Sequence, residues 1–175
     1  MVSKRDERQL NYCIGLGSNI GERELLLNKS CVLLERRVGR ILQISSLYSS
    51  EPWGNKELKP FLNMALIIQS KLRPIDLLKI CQSIERTLGR KKDIYNKEYI
   101  DRPIDIDILL CDQMMFRCEI LIIPHPYLAK RKFVLEPLAE IAASWIHPGF
   151  NKNIEELRLN CSDQNKVKRL KTPIE

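Results

Sequence analysis

Histidine is scarce, with two residues in 175, and none of the six cysteines stands in a C-x-x-C pair. That excludes the clustered Cys and His ligands of a structural zinc site. The cysteines fall at 13, 31, 81, 111, 118 and 161. Cys31 and Cys81 sit on apolar helix stripes and Cys13 in an apolar strand, so they read as reduced core residues of a cytoplasmic protein. No apolar run approaches the roughly 20 residues that cross a bilayer. The charged start, Met1 to Arg8, is not followed by an apolar signal core. Neither membrane insertion nor export is expected. Aromatics make up 6% of the chain and are not gathered on one strand, as an RNA-recognition motif would require. Repeats and low-complexity tracts are absent.

What is present is an ordinary soluble composition, 44% apolar and 29% charged, in a chain of one-domain length. The net charge of +7 favours anionic ligands of any kind. It is concentrated in Lys56 to Lys59, Arg86 to Lys97, Ala129 to Lys132 and Lys166 to Lys171. Most of it reads as solvated surface. The stretch around Arg90 differs, because an acidic motif follows it.

Periodicity predicts a strand over Tyr12 to Leu16 that runs into Gly15, Gly17, Ser18, Asn19 and Gly21. A helix follows over Glu22 to Val38, with Leu27, Cys31, Leu34 and Val38 on one stripe and Gly39 closing it. Strands are expected over Ile41 to Tyr48 and Phe61 to Leu72, with a loop containing Pro52 and Gly54 between them. Pro74 opens a second helix, with an inner stripe of Leu77, Cys81, Ile84 and Leu88. Arg90 to Asp101 is polar and aperiodic, and reads as a mobile loop. A strand over Ile104 to Leu110, a short strand at Leu121 to Ile123 and a helix at Phe133 to Ile141 complete the chain. The order predicts an α+β fold: a ferredoxin-like βαββαβ core whose mostly antiparallel sheet carries two helices on one face. Residues 1–150 are expected to form this domain, with 151–175 a loosely attached C-terminal extension.

The strongest chemical signal is Arg102-Pro103-Ile104-Asp105-Ile106-Asp107-Ile108-Leu109-Leu110. Strand alternation puts Asp105 and Asp107 on one face and the isoleucines on the other. Two such carboxylates repel unless a cation lies between them, and Mg²⁺ commonly takes one or two carboxylates plus phosphate oxygens. The alternative is a pair of harmless solvent-facing acids. Arg90, Lys91, Lys92, Arg102, His125 and Arg131 are the cations that a polyphosphate beside such a metal needs. Gly15-Leu16-Gly17-Ser18-Asn19-Ile20-Gly21 lacks the lysine of a P-loop and the spacing of G-x-G-x-x-G, so it reads as a structural tight turn. Phe61 and Asn63 share a strand face beside Ser50-Glu51-Pro52-Trp53-Gly54. A ring with an amide next to it could seat a flat heterocycle, or could simply be core and turn.

In this order the segments resemble the 6-hydroxymethyl-7,8-dihydropterin pyrophosphokinase family from Ile14 to about Pro148. The likeness rests on Gly15 to Asn19, Ser46-Leu47-Tyr48 with Pro52-x-Gly54, Phe61-Leu62-Asn63, Ile84-Glu85 to Gly89-Arg90, Arg102 to Leu109, Pro124-His125-Pro126, and Arg131-x-Phe133-Val134-Leu135-x-Pro137-Leu138. It implies transfer of pyrophosphate from ATP to the hydroxymethyl oxygen of a pterin, in folate biosynthesis, with AMP leaving. It implies a pair of Mg²⁺ ions on Asp105 and Asp107. The pterin would be bound by Ser50, Pro52, Trp53, Phe61, Asn63, Tyr99 and Phe133. Gln82, Glu85, Arg90, Lys92, Arg102, His125 and Arg131 would face ATP, with Arg90, Lys92, Arg102 and Arg131 aiding the chemistry. A cytoplasmic monomer is expected, with no nucleic-acid or membrane partner. The chain departs from the family in carrying Lys92 for an arginine, Tyr99 for a tryptophan, Asp101 for a proline and Ser50 for a threonine. Two other classes share parts of the pattern: a basic ferredoxin-like RNA-binding module, and a different Mg²⁺-dependent phosphoryl or nucleotidyl transferase.

Overall fold

The computed structural model describes residues 8–91 and 100–171. The elements run β1 (Leu10–Ser18), α1 (Arg23–Arg37), β2 (Arg40–Ile44), β3 (Leu47–Ser50), β4 (Phe61–Ser70), α2 (Pro74–Thr87) and β5 (Asp105–Cys111). Beyond these come a small hairpin of β6 (Phe116–Arg117) and β7 (Ile122–Ile123), helix α3 (Lys132–Ala142) and a second hairpin of β8 (Ile146–His147) and β9 (Lys152–Asn153). Helix α4 (Ile154–Leu159) and strand β10 (Val167–Lys171) finish the order. The main sheet is ordered β10-β3-β4-β1-β5, with β2 also on β4, and every pair is antiparallel. The expected α+β core is there.

Alternation along β1 sorts the core into two layers. Tyr12, Ile14 and Leu16 pack with Leu27 and Leu34 of α1 and Leu77, Cys81 and Ile84 of α2. Cys13 packs on the other side with Ala65, Ile67 and Leu109 against Val134, Leu135 and Leu138 of α3 and Leu157 of α4. The sheet is therefore covered on both faces, whereas the sequence pattern had assigned helices to one.

Three expectations change. The strand expected over Ile41 to Tyr48 is broken at Ser45 and Ser46. Ser45 exchanges bonds with the backbone of Ala65: its N–H donates to the carbonyl and its Oγ accepts from the amide, both at 2.8 Å. Ser46 donates from Oγ and N–H to Glu140 of α3 at 2.7 and 3.1 Å. Tyr48 Oη donates to the same carboxylate at 2.8 Å. Helix α3 thus draws the chain out of register at the serines. Ile122 and Ile123 pair only with Phe116 and Arg117, outside the main sheet.

The stretch from residue 151, expected to be loosely attached, is instead packed into the fold. Ile154 and Leu157 enter the α3 layer, and β10 adds to the sheet beside β3, with Val167 opposite Ser50 and Arg169 opposite Tyr48. Arg169 donates to Glu140 at 3.0 Å and to Ser46 Oγ at 2.9 Å. Lys and Arg side chains on an edge strand also discourage further strand addition.

Candidate active site

The acidic pair lies on the α3 side of β5. Asp105 accepts from Arg90 at 2.6 Å and from Arg102 at 3.1 Å. Arg90 is also paired with Glu85, whose Oε1 accepts the Ile106 amide at 2.9 Å. Glu85 is 7% exposed, and burial first, opposed by Arg90, raises its affinity for a proton. Asp107 is raised in the same direction by burial and by the like charge of Asp105, against the pull of Arg131. A carboxylate pair held in this way gains from any added positive charge.

Opposite the acids the cleft is lined by a ring-and-amide surface. Ser50, Trp53, Phe61, Asn63 and Phe133 form it, and Arg102 and Arg131 line the same cleft with both aspartates. Asn63, 4% exposed, donates from Nδ2 to Ser50 Oγ at 2.8 Å. That bond fixes the amide and leaves its carbonyl oxygen beside Gly17. The Arg131 guanidinium lies 4.7 Å from the Trp53 ring centre, 5.0 Å from Tyr127 and 5.8 Å from Phe133. Its buried Nε has no hydrogen-bond partner among the described residues.

The floor is where sequence reasoning went wrong. Gly15 and Gly17 belong to β1, not to a turn, and both line the cleft. A Cβ on Gly17 would stand 3.3 Å from Asn63 Oδ1 and 3.7 Å from Phe61, and one on Gly15 would stand 3.2 Å from Leu109. The cleft is deep because these side chains are missing. Two-residue spacing within a strand opposite Asp105 and Asp107 was the available signal. Leu58, Ile100, Val134 and Pro137, also unassigned from sequence, complete the apolar walls.

Asp101 does not sit as a third acid beside the pair. Its Oδ1 accepts from Asn19 Nδ2 at 2.5 Å and from the Lys59 amide at 3.1 Å. Asn19 Oδ1 in turn accepts the Arg102 amide at 2.7 Å. The end of β1, residue 59 and the start of the acidic motif are thereby joined at the cleft mouth.

Some expected site residues stand apart from the cleft lining. Gln82 is exposed on α2, and Pro52 is buried in its loop. Glu85 and Arg90 reach the site through Asp105. His125 Nδ1 accepts the Tyr127 amide at 3.2 Å, a local orienting partner that the sequence had not revealed. Burial and then Arg131 push His125 down to about 4, so it is neutral at physiological pH. Lys92 and Tyr99, with most of the loop between Arg90 and Asp101, lie outside the described residues.

Residues 13–143 match the family described as 7,8-dihydro-6-hydroxymethylpterin-pyrophosphokinase (HPPK). The chain belongs to this family. A Porphyromonas gingivalis protein named 2-amino-4-hydroxy-6-hydroxymethyldihydropteridine pyrophosphokinase is 45% identical over 136 residues, covering 77% of this chain and 92% of the relative. A Bacillus subtilis protein of the same name is 42% identical over 129 residues, 73% of this chain and 75% of the relative. Among solved structures, an HPPK-DHPS in complex with substrates overlays with a TM-score of 0.70 at 14% identity, over 86% of this chain. Plasmodium falciparum HPPK-DHPS, wild type with pterin and p-hydroxybenzoate, overlays at 0.69 and 17% identity over 88% of this chain. These two likenesses speak to the fold alone, and the chain spans 43% of the length of each HPPK-DHPS chain. As an HPPK family member the chain is an enzyme, a pyrophosphokinase.

Proposed function

We propose that this pyrophosphokinase transfers the β,γ-pyrophosphoryl group of ATP to the hydroxymethyl oxygen of 6-hydroxymethyl-7,8-dihydropterin and releases AMP. One observation carries the reading: a single cleft joins a ring-and-amide end (Trp53, Phe61, Asn63, Phe133) to a carboxylate-and-cation end (Asp105, Asp107, Arg102, Arg131). A flat polar heterocycle fits the first and a metal-bound polyphosphate the second.

The donor set suits Mg²⁺. Asp105 and Asp107 supply two hard oxygen ligands, and no group of three or more metal-binding side chains occurs among the described residues. A cation held there must share its coordination with ligand oxygens, the habit of Mg²⁺ on nucleotides. When bound, Mg²⁺ would neutralise phosphate charge and polarise the transferred group.

The chain's own residues do the rest. Asn63, its amide fixed by Ser50, presents its carbonyl oxygen to the N–H edge of the pterin, while Phe61 and Phe133 flank the ring. Arg131 and Arg102 hold phosphate charge, and neutral His125 offers an N–H from Nε2. Arg90, now tied to Glu85 and Asp105, is available to the phosphates once metal takes over Asp105. The substrate hydroxyl oxygen bonds to the β-phosphorus as the bond from that phosphorus to the α–β bridging oxygen breaks, AMP leaves with that oxygen, and the hydroxyl proton is released to solvent. Positioning and charge neutralisation suffice for such a transfer.

Incubation with ATP, Mg²⁺ and the hydroxymethyl-dihydropterin should yield AMP, with a label at the β-position of ATP recovered in the pterin product. ADP as product, or label trapped on denatured protein, defeats the proposal.

Gly17→Ala tests the pterin end. A methyl on the floor would stand between the Asn63 amide and the Phe61 ring, where the heterocycle edge rests. Overpacking of this kind costs about 1–3 kcal/mol, so the KM for pterin should rise roughly tenfold or more. The thermal midpoint should fall as well, because the added atom stands 3.3 Å from the Oδ1 of buried Asn63, which must give way. An unchanged pterin KM would place the ring elsewhere.

A further inference from the structure

We infer that the segment 163–167 is a strap that positions the pterin pocket, with Asp163 as its key positioning residue; the inference rests on the pterin reading above. The pocket has two walls distant in sequence, the loop from Ser50 to Trp53 and the start of α3 from Arg131 to Phe133. The strap is bonded to both. Asp163 Oδ2 accepts the amide of Lys132, the first residue of α3, at 3.0 Å. The residue preceding that helix, Arg131, provides no side-chain cap of its own, so a carboxylate from 31 residues away does the capping. Lys132 lies between the two pocket residues Arg131 and Phe133, and fixing its amide fixes the direction in which both side chains leave the backbone. Asp163 Oδ1 meanwhile accepts the Asn165 amide at 3.0 Å, which holds the strap's own turn.

The other end grips the facing wall. Lys166 and Glu51 are joined twice, Glu51 N–H to the Lys166 carbonyl and Lys166 N–H to Glu51 Oε2, both at 3.3 Å. Val167 then pairs with Ser50, the residue whose hydroxyl holds the Asn63 amide. The short link from Asp163 to Val167 therefore sets the separation of the two walls between which the heterocycle must fit. Of the phosphate end only Arg131 belongs to these walls; Asp105 and Asp107 stand on β5 and Arg102 just before it, so that end should respond less.

The test compares Asp163→Ala with Asp163→Asn in the full-length enzyme, measuring kcat, the KM for hydroxymethyl-dihydropterin, the KM for ATP, and hydrogen exchange at the Lys132 amide. Loss of a cap corresponds to a change of roughly three- to thirtyfold. Asp163→Ala should raise the pterin KM by such a factor and speed exchange at Lys132, while the ATP KM moves little. Asp163→Asn keeps one oxygen, which can still accept the Lys132 amide while the contact to the Asn165 amide is lost, and it should restore most of the pterin KM. The inference is overturned if the alanine variant exchanges faster at Lys132 with its pterin KM unchanged, if both KM values and kcat fall off together, or if asparagine fails to rescue. Wild-type enzyme that turns over ATP with no dependence on pterin would defeat the substrate reading, and this inference with it.

Discussion

Asp107→Ala should leave a folded protein whose kcat/KM is reduced on the order of a thousandfold or more, equivalent to about 4 kcal/mol of transition-state stabilisation. The carboxylate lies on the cleft face of β5, while its neighbours Ile106 and Ile108 hold the strand in the opposite core. On the reading proposed above, removing it takes away a metal ligand and little packing. Asp107 is the cleaner probe of the pair. Asp105 also anchors Arg90 and Arg102, so its loss would disturb two cations as well as the metal site proposed here. Asp107→Asn should go further and raise the thermal midpoint at pH 8 without divalent cations. Burial and Asp105 raise the folded-state pKa of Asp107 above its unfolded value. Its contribution to stability is then full below the unfolded pKa and is lost as pH rises through the folded one. At pH 8 the ionised group weakens the fold, and the amide removes that burden; the gap should close as pH falls into the ordinary carboxylate range. Adding Mg²⁺ should raise the midpoint of wild type but not of the variant. A well-folded Asp107→Ala enzyme with near wild-type turnover at limiting Mg²⁺ would remove the metal assignment.

Arg131→Ala should lower kcat by roughly a hundred- to a thousandfold, the scale seen when one donor to a developing anion is removed. The guanidinium lies over the Trp53, Tyr127 and Phe133 rings, and its buried Nε has no hydrogen-bond partner among the described residues. A buried donor without a partner is costly to keep, and an incoming phosphate oxygen would satisfy it. Lysine should not rescue, because an ammonium lacks both the planar face that stacks on the rings and the forked donors. Single-turnover measurement separates this loss from slow product release. If Arg131→Lys proves as fast as wild type, the planar geometry has no part in the chemistry.

The fold was legible where local pattern and tertiary packing agree. Leu27, Leu34, Leu77, Cys81 and Ile84 repeat at helical spacing, and they are the residues that α1 and α2 bury. The break at Ser45 and Ser46 was not legible, because Glu140, 94 residues further on, produces it. Strand β10 was hidden for a related reason. Val167 to Lys171 reads as a charged tail until Ser50 and Tyr48 are placed beside it. At the site, alternation alone put Asp105 and Asp107 on one face, and the two-residue spacing did the same for Phe61 and Asn63. Gly15 and Gly17 were misassigned, because glycine in a sequence signals a turn more readily than an emptied strand face. The roles of Asp101 and Asp163 could not be read, since each depends on amides brought near by distant chain.

The place of β1 between β4 and β5 has a consequence for synthesis. Among the described strands β1 is made before both of its neighbours, and β5 is complete only at Cys111. Until then β1 has an unpaired edge and depends on whatever shields nascent chains. At about 5–20 residues per second, the further stretch from Cys111 to Val167, 56 residues by their numbers, takes roughly 3–11 s. β1 is thus made before both of its partners, and the strand that braces the wall at Ser50 is made later still, so a ribosome stalled in that interval would carry β1 paired but one wall of the proposed pterin pocket unfinished.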